Sequence, residues 1–262
     1  MVTLKELKDN MSSKIIIPKE FDDFYEWTTK QIEKHGEYFI SGCFEWRSDN
    51  YDAIKHWFNF DCTERFGVFG AGLTGNLYAF WIDDEGEQKI VHLGLEGDNL
   101  LVLGNNFIEF LQYLSIGYDD TCIDDFNATF EEIKQRDNVD FKKVSKEDLD
   151  DYYSHTESLK TDEGIKKIFG DLNEADLKTI KEIYKNIEIP DTQKMHSQLQ
   201  NQIPAIENNQ EKVEKMLMEL RQWISTTFKV KIPNKGNEIV NLTDKSFENW
   251  VNRITGYNKE RS

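Results

Sequence analysis

The stretch from Asn76 to Leu103 constrains this chain more than any other. Asn76-Leu77-Tyr78-Ala79-Phe80-Trp81-Ile82 is almost wholly apolar, it runs into Asp83-Asp84-Glu85-Gly86, and the residues from Lys89 to Leu95 are largely apolar again. Two β-prone runs on either side of an acidic, glycine-containing turn predict a β-hairpin. A second turn at Glu96-Gly97-Asp98 leads to Leu100-Leu101-Val102-Leu103. Three consecutive strands joined by tight turns predict an antiparallel meander. A helix is expected to cover it. Asn106 stands where it can cap that helix with Glu109 at the reciprocal position, Phe107, Phe110, Leu111 and Leu114 share one face, and Gly117 ends it.

On the N-terminal side, Phe21, Phe24, Tyr25, Thr28 and Ile32 recur at helical spacing between Pro18 and Gly36, which predicts a helix with one buried face. From Tyr38 to Phe60 the aromatic residues Phe44, Trp46, Tyr51, Trp57, Phe58 and Phe60 read as strand pieces around an Asp49-Asn50 turn. From Asp119 to Asp151 the chain carries 12 acids and 5 bases, with Phe126, Phe130 and Ile133 as short apolar contacts. That composition predicts a solvated helical region. Asn173 caps a further helix bearing Leu177, Ile180, Ile183 and Tyr184, and Pro190 follows it. Residues Asp191 to Gln210 are rich in Gln and Asn and contain Pro204, and read as a linker or loosely packed loop. Val213, Met216, Leu217, Leu220, Trp223, Ile224, Thr227 and Phe228 keep to one helical face and are expected to enter the chain's own core. A last helix, capped at Thr243 or Asp244, groups Phe247, Trp250, Val251 and Ile254.

Charge narrows the function. The chain has 49 acidic and 32 basic residues, a formal charge of −17, and that field repels phosphate backbones and anionic lipid surfaces. Direct nucleic-acid and membrane partners are therefore not expected, whereas a basic protein would be drawn in. An aromatic fraction of 13% is too high for a disordered chain. Cys43, Cys62 and Cys122 form no C-x-x-C pair and are odd in number, which fits a reducing, cytoplasmic compartment. Glu6 and Asp9 lie early, the run Ile15-Ile16-Ile17 is too short for a signal segment, and no stretch of 18 apolar residues exists.

Catalytic motifs give little. Gly70-Ala71-Gly72-Leu73-Thr74-Gly75 matches G-x-G-x-x-G, with Glu96 at the distance of a ribose-binding acid. A dinucleotide fold needs a helix to start at that loop so that its amides meet the pyrophosphate. Here the next residues alternate like a strand, so the glycines read as a tightly turned connection where side chains would clash. His35, His56, His92, His155 and His196 lack metal-ligand spacing, and His92 reads as a structural residue within a strand. No catalytic residue, metal or cofactor is expected. The candidate partner-binding residues are Tyr78, Asp83, Asp84, Glu85, Glu96, Asp98, Asp119, Asp120, Asp124 and Asp125, a surface for a basic partner. Reversing Asp83, Asp84 and Glu85 together is expected to slow association without unfolding the protein.

Glu64-Arg65-Phe66-Gly67 to Trp81, then Lys89 to Leu95, then Asn106-Phe107-Ile108-Glu109-Phe110-Leu111 resembles the SUKH superfamily. In its bacterial members a Gly-rich loop leads to an aromatic strand, an acidic turn, an apolar strand and a helix opening with Phe-x-x-Phe-Leu. Phe107, Phe110 and Leu111 fit that element, and Phe247-Glu248-Asn249-Trp250-Val251 resembles the terminal helix of longer bacterial members. The Asn-Gly-Gly turn that normally follows the first helix is missing, and the region from Asp125 to Gln210 has no counterpart. The resemblance implies an α+β fold, an antiparallel or mixed sheet of about six strands flanked by helices. Residues 1–124 would form the SUKH-like core, 125–210 an acidic, mostly helical insertion and polar linker, and 211–262 helices packing back on the core. It also implies a non-enzymatic immunity protein that neutralises a basic toxin domain, often a nuclease; the sequence leaves the oligomeric state open, with a monomer favoured. An intracellular scaffold or regulatory adaptor of the same fold is the alternative.

Overall fold

Five strands form one sheet in a computed structural model that describes residues 2–35, 44–59, 61–72, 75–94, 99–118, 123–137 and 142–256. They are β1 (Glu45–Trp46), β2 (Phe66–Ala71), β3 (Leu77–Ile82), β4 (Gln88–Leu93) and β5 (Leu101–Gly104). Their order in the sheet is their order in the chain, and every neighbouring pair is antiparallel. The class is α+β. Against the expected sheet of about six strands, five are present among the described residues, and none pairs in parallel.

The continuous apolar run in β3 has a physical cause in the layers around it. Tyr78 and Phe80 join one core, with Phe44, Trp46, Phe69, Ile90, Leu101 and Leu103. Leu77, Ala79 and Trp81 join a second core on the other sheet face, with Phe66, Val68, Val91 and Val102. A strand covered on both faces has no polar side to show, so the usual alternation disappears.

The first face is covered by α1 (Leu4–Asn10), α2 (Lys19–His35) and α4 (Phe107–Leu114). α2 presents Phe21, Phe24 and Trp27 at helical spacing. In α4 the Asn106 side chain accepts from the Glu109 N–H at 3.0 Å. The Glu109 carboxylate reaches back to the Asn105 N–H at 2.7 Å, one residue earlier than the reciprocal bond expected. The second face is covered by α3 (Asn50–Phe58) and α10 (Ser246–Thr255). Burying Phe247, Trp250 and Val251 of α10 contributes about 1.5–3 kcal/mol per side chain before chain entropy is subtracted.

Two sequence expectations are corrected. Among the described residues of the aromatic region before Phe60, the two-residue β1 is the strand, and 50–58 is the helix α3. Ala53, Ile54 and Phe58 fall on one helical face against the second core, and the Asn50 carbonyl oxygen Oδ1 accepts from the Val68 N–H at 2.7 Å, fixing the helix start to β2. The Gln/Asn-rich stretch read as a linker is also helical, part of α9 (Thr192–Phe228). Met195, Leu199 and Ile203 recur every fourth residue there, and α9 accommodates Pro204 within it at the loss of one backbone hydrogen bond.

The chain divides into two compact units, Met1–Asp137 with Lys212–Ser262, and Asn138–Glu211. The first contains the sheet, α5 (Phe130–Asp137) and the later part of α9, whose Leu220 and Ile224 enter the first core. The expectation that this face of α9 docks on the chain's own core holds for Met216, Leu217, Leu220 and Ile224, while Val213 is exposed. The second unit contains α6 (Lys146–Ser158), α7 (Asp162–Phe169), α8 (Glu174–Tyr184) and the first part of α9. Asn173 caps α8 by accepting from the Asp176 N–H at 2.9 Å.

Candidate functional site

The acidic β3–β4 turn is the feature that the sequence offers most directly to a basic partner. Its first residue, Asp83, is only 8% exposed. Its Oδ1 accepts from the backbone N–H of Glu85 at 3.0 Å and of Glu87 at 2.8 Å. Gly86 closes the turn at φ +85°, with open space where a side chain would stand, a backbone conformation that favours glycine. Asp83 thus spends its carboxylate on shaping the turn, as Asp commonly does at such positions.

The neighbouring Asp84 carboxylate is tied to distant parts of the first unit. Asp84 pairs with Arg253 of α10 and with Nη1 of Arg65 at 3.1 Å. The Arg253 bond, helped by Arg65, holds the Asp84 carboxyl below its ordinary value. Arg65 Nη1 also donates to the carbonyls of Ile82 at 3.2 Å and Asp83 at 3.1 Å, and its guanidinium lies 5.7 Å from the Trp250 ring centroid, within cation–π range. Lys89 of β4 stands 3.7 Å from Asp83 and 3.5 Å from Asp244, and donates to Ser246 Oγ at 3.2 Å. Burial pushes the Asp244 carboxyl up, but the two bonds from Ser246 and the Lys89 charge outweigh it, so it ends below the ordinary range. Together these groups latch the turn to the start and the last turn of α10.

The candidate residues therefore separate. The turn brings Asp83, Asp84 and Glu85 together; Glu85 is exposed, and so is Glu87, which the sequence did not single out. Asp83 is corrected from a partner contact to a structural residue, so reversing all three charges is expected to disturb the turn as well as any association. Tyr78 is corrected as well: it is 2% exposed and packs against Phe44, Phe110 and His92 at centroid distances of 5.9, 5.4 and 5.7 Å. A tyrosine in the centre of a sheet covered on both faces has no surface to offer. Asp125 is paired with Arg136 at 2.5 Å and its side chain is 14% exposed. Glu96, Asp98, Asp119 and Asp120, and the side chain of Asp124, lie outside the described residues.

Arg65, Lys89, Asp244 and Arg253 complete the cluster, and nothing local in the sequence marks the three cations. Arg253 lies 169 residues from Asp84. Only the positive charge of Arg65, Lys89 and Arg253, set against an acidic turn, could have suggested them.

The glycine fingerprint begins in the sheet, with Gly70 and Ala71 at the end of β2. Gly70 lies in β2, where a Cβ would overlap the Phe44 ring, and a Cβ on Gly72 would overlap the Asn76 amide. Strand β3 follows, where a dinucleotide site would place a helix. Cys62 is buried, and desolvation pushes its thiol up to about 12, the opposite of what an activated nucleophile needs. In the second unit a shallow hollow of about 290 Å³ is lined by Asp150, Glu157, Asp191, Tyr153, Ser154 and Thr192, among others. Its carboxylates hold their own chain: Asp150 accepts from the Thr192 hydroxyl at 2.6 Å, Asp191 caps α9 through the Lys194 N–H at 3.0 Å, and Glu157 pairs with Lys160 at 2.8 Å. Among the described residues, no group of three or more His, Cys, Asp or Glu side chains is placed to hold a metal, and no helix is long and apolar enough to cross a membrane.

No protein-family model matches the chain, and neither the curated proteins nor the solved structures give a match.

Proposed function

We propose that this chain is a non-enzymatic binding protein of the SUKH type, working in the cytoplasm as an immunity protein that neutralises a basic toxin domain. The observation that carries the reading is charge. With 49 acids against 32 bases, pairing every lysine and arginine with a carboxylate would still leave 17 carboxylates without a cation. Such a surface steers a basic partner and raises its association rate by roughly 10 to 10³ at low salt. A nuclease toxin fits this chemistry, since its substrate is a polyanion. On the β3–β4 turn, Glu85 and Glu87 are the carboxylates free to face such a partner, with Glu96, Asp98, Asp119, Asp120 and Asp124 as further candidates.

One observation favours a second reading. In the second unit Ile168, Phe169, Ile183 and Ile187 are 40–61% exposed, and exposed apolar groups are the mark of an interaction surface in an adaptor or scaffold. Capture of partners on the tagged full chain from lysate of the source cell, at low and at high salt, separates the two. A single basic protein that is lost at high salt and toxic when produced alone supports the immunity reading. Several neutral or acidic partners retained at high salt sink it in favour of the scaffold.

A further inference from the structure

His92 lies in β4 and is 1% exposed, yet both of its ring nitrogens are engaged. Nδ1 stands 2.7 Å from the backbone carbonyl of Asn99, and Nε2 stands 2.5 Å from Nδ2 of Asn76. Asn76 is 2% exposed and precedes β3, and its carbonyl accepts from the Gly72 N–H at 2.9 Å, closing the β2–β3 connection. Asn99 holds a left-handed backbone, φ +49°, on the approach to β5. One imidazole thus joins two strand connections that are not neighbours in the chain. A carbonyl oxygen can only accept, so Nδ1 carries the hydrogen, and the Nε2 lone pair accepts from the Asn76 amide. Both bonds are made by the neutral ring.

We infer that His92 is an acid-sensitive pin that ties Asn76 to Asn99 and lets go when it takes a second proton. A hydrogen on Nε2 would point at the N–H of the Asn76 amide, donor against donor. Turning that amide over would carry its NH2 group towards Gly72, where the Oδ1 oxygen now sits so close that a Cβ on Gly72 would overlap it. Among the described residues, the titratable group that faces the ring from β3 is the Tyr78 phenol, at a centroid distance of 5.7 Å, and on β5 the residue paired with His92 is Leu101. Protonation therefore favours a state in which the ring and Asn76 have separated. This holds whether or not the partner proposed above exists.

An imidazole that ionises only in the separated state, with an ordinary midpoint near 6.5, shifts the opening equilibrium about ten-fold between pH 7.5 and 5.5. The test is hydrogen exchange of the Gly72 amide at those two pH values, corrected for intrinsic exchange, in the full chain and in His92→Gln. Ring carbon shifts of His92 are followed by NMR in the same samples. Extra opening of about ten-fold in the wild type between pH 7.5 and 5.5, with the ring of the closed protein still neutral, and loss of that extra opening in His92→Gln, is the expected result. Equal pH dependence in both proteins, or a His92 ring that is protonated while the Gly72 amide stays protected, would overturn the inference. If His92→Gln does not fold, the wild type decides alone: opening that does not rise between pH 7.5 and 5.5, or a ring protonated in the closed protein, overturns the inference.

Discussion

Replacing Asp83 by alanine removes the two charge-assisted hydrogen bonds that its Oδ1 accepts from the backbone N–H groups of Glu85 and Glu87, at 3.0 and 2.8 Å, and one of the two carboxylates beside Lys89. Hydrogen bonds to charged groups contribute about 1.5–3 kcal/mol each. The two here share one turn, so their joint loss is expected to cost about 2–4 kcal/mol. Replacing Glu85, two residues on and exposed, is expected to cost less than about 0.5 kcal/mol. The assay is urea unfolding followed by tryptophan fluorescence. All six tryptophans, at 27, 46, 57, 81, 223 and 250, lie in the unit that contains the turn, so the signal reports that unit. With a slope of about 2 kcal/mol/M, Asp83→Ala should lower the midpoint by about 1–2 M and Glu85→Ala should leave it within about 0.3 M. Equal midpoints for the two variants would refute the assignment of Asp83 to the fold. For the same reason Glu85→Lys, and not a triple reversal with Asp83 and Asp84, isolates the effect of this turn's charge on a partner's association rate.

Other outcomes follow from the same geometry. Gly70→Val should destabilise by about 1–3 kcal/mol by overpacking against Phe44, read from the thermal midpoint in circular dichroism. Leu220→Ala, at a fully buried position of α9, should cost about 2–5 kcal/mol, whereas Met218→Ala, 68% exposed on the same helix, should change stability by less than about 0.5 kcal/mol; similar urea midpoints for both would refute the docking of α9 described here. The Asp84 carboxyl is held low in the folded state by Arg253, so its contribution is present above the ordinary carboxylate range and is lost as pH falls through the folded value. Amide protection in α10 should accordingly weaken below about pH 4 in the wild type and do so less in Arg253→Gln. Cys62, buried and pushed up to about 12, should resist thiol reagents at pH 8 until the protein is unfolded.

Local chemistry carried much of the architecture. The hairpin, the third strand and α4 were legible because each is specified by near neighbours: a glycine at positive φ in the turn, an Asn cap three residues before its Glu, and an apolar run too dense for a surface. α3 was not legible, because its aromatic residues suit a strand equally well, and what decided it was the second core, which takes Ala53, Ile54 and Phe58 from one helical face. The helical form of 192–210 was hidden by a proline and a polar composition that read as a linker.

The candidate site divides along the same line. By itself the sequence determined that the chain is strongly acidic and that carboxylates cluster at the turn between two strands, because charge and turn chemistry are properties of single residues and their immediate neighbours. Which of those carboxylates face water was decided only by the tertiary structure. Arg65 and Arg253 reach Asp84 from positions 19 residues before it and 169 residues after it, and Tyr78 is enclosed by helices on one sheet face and strands on both sides. Ion pairing and burial depend on distance in space, and a chain that folds back on itself sets those distances by packing its cores, not by the order of its residues.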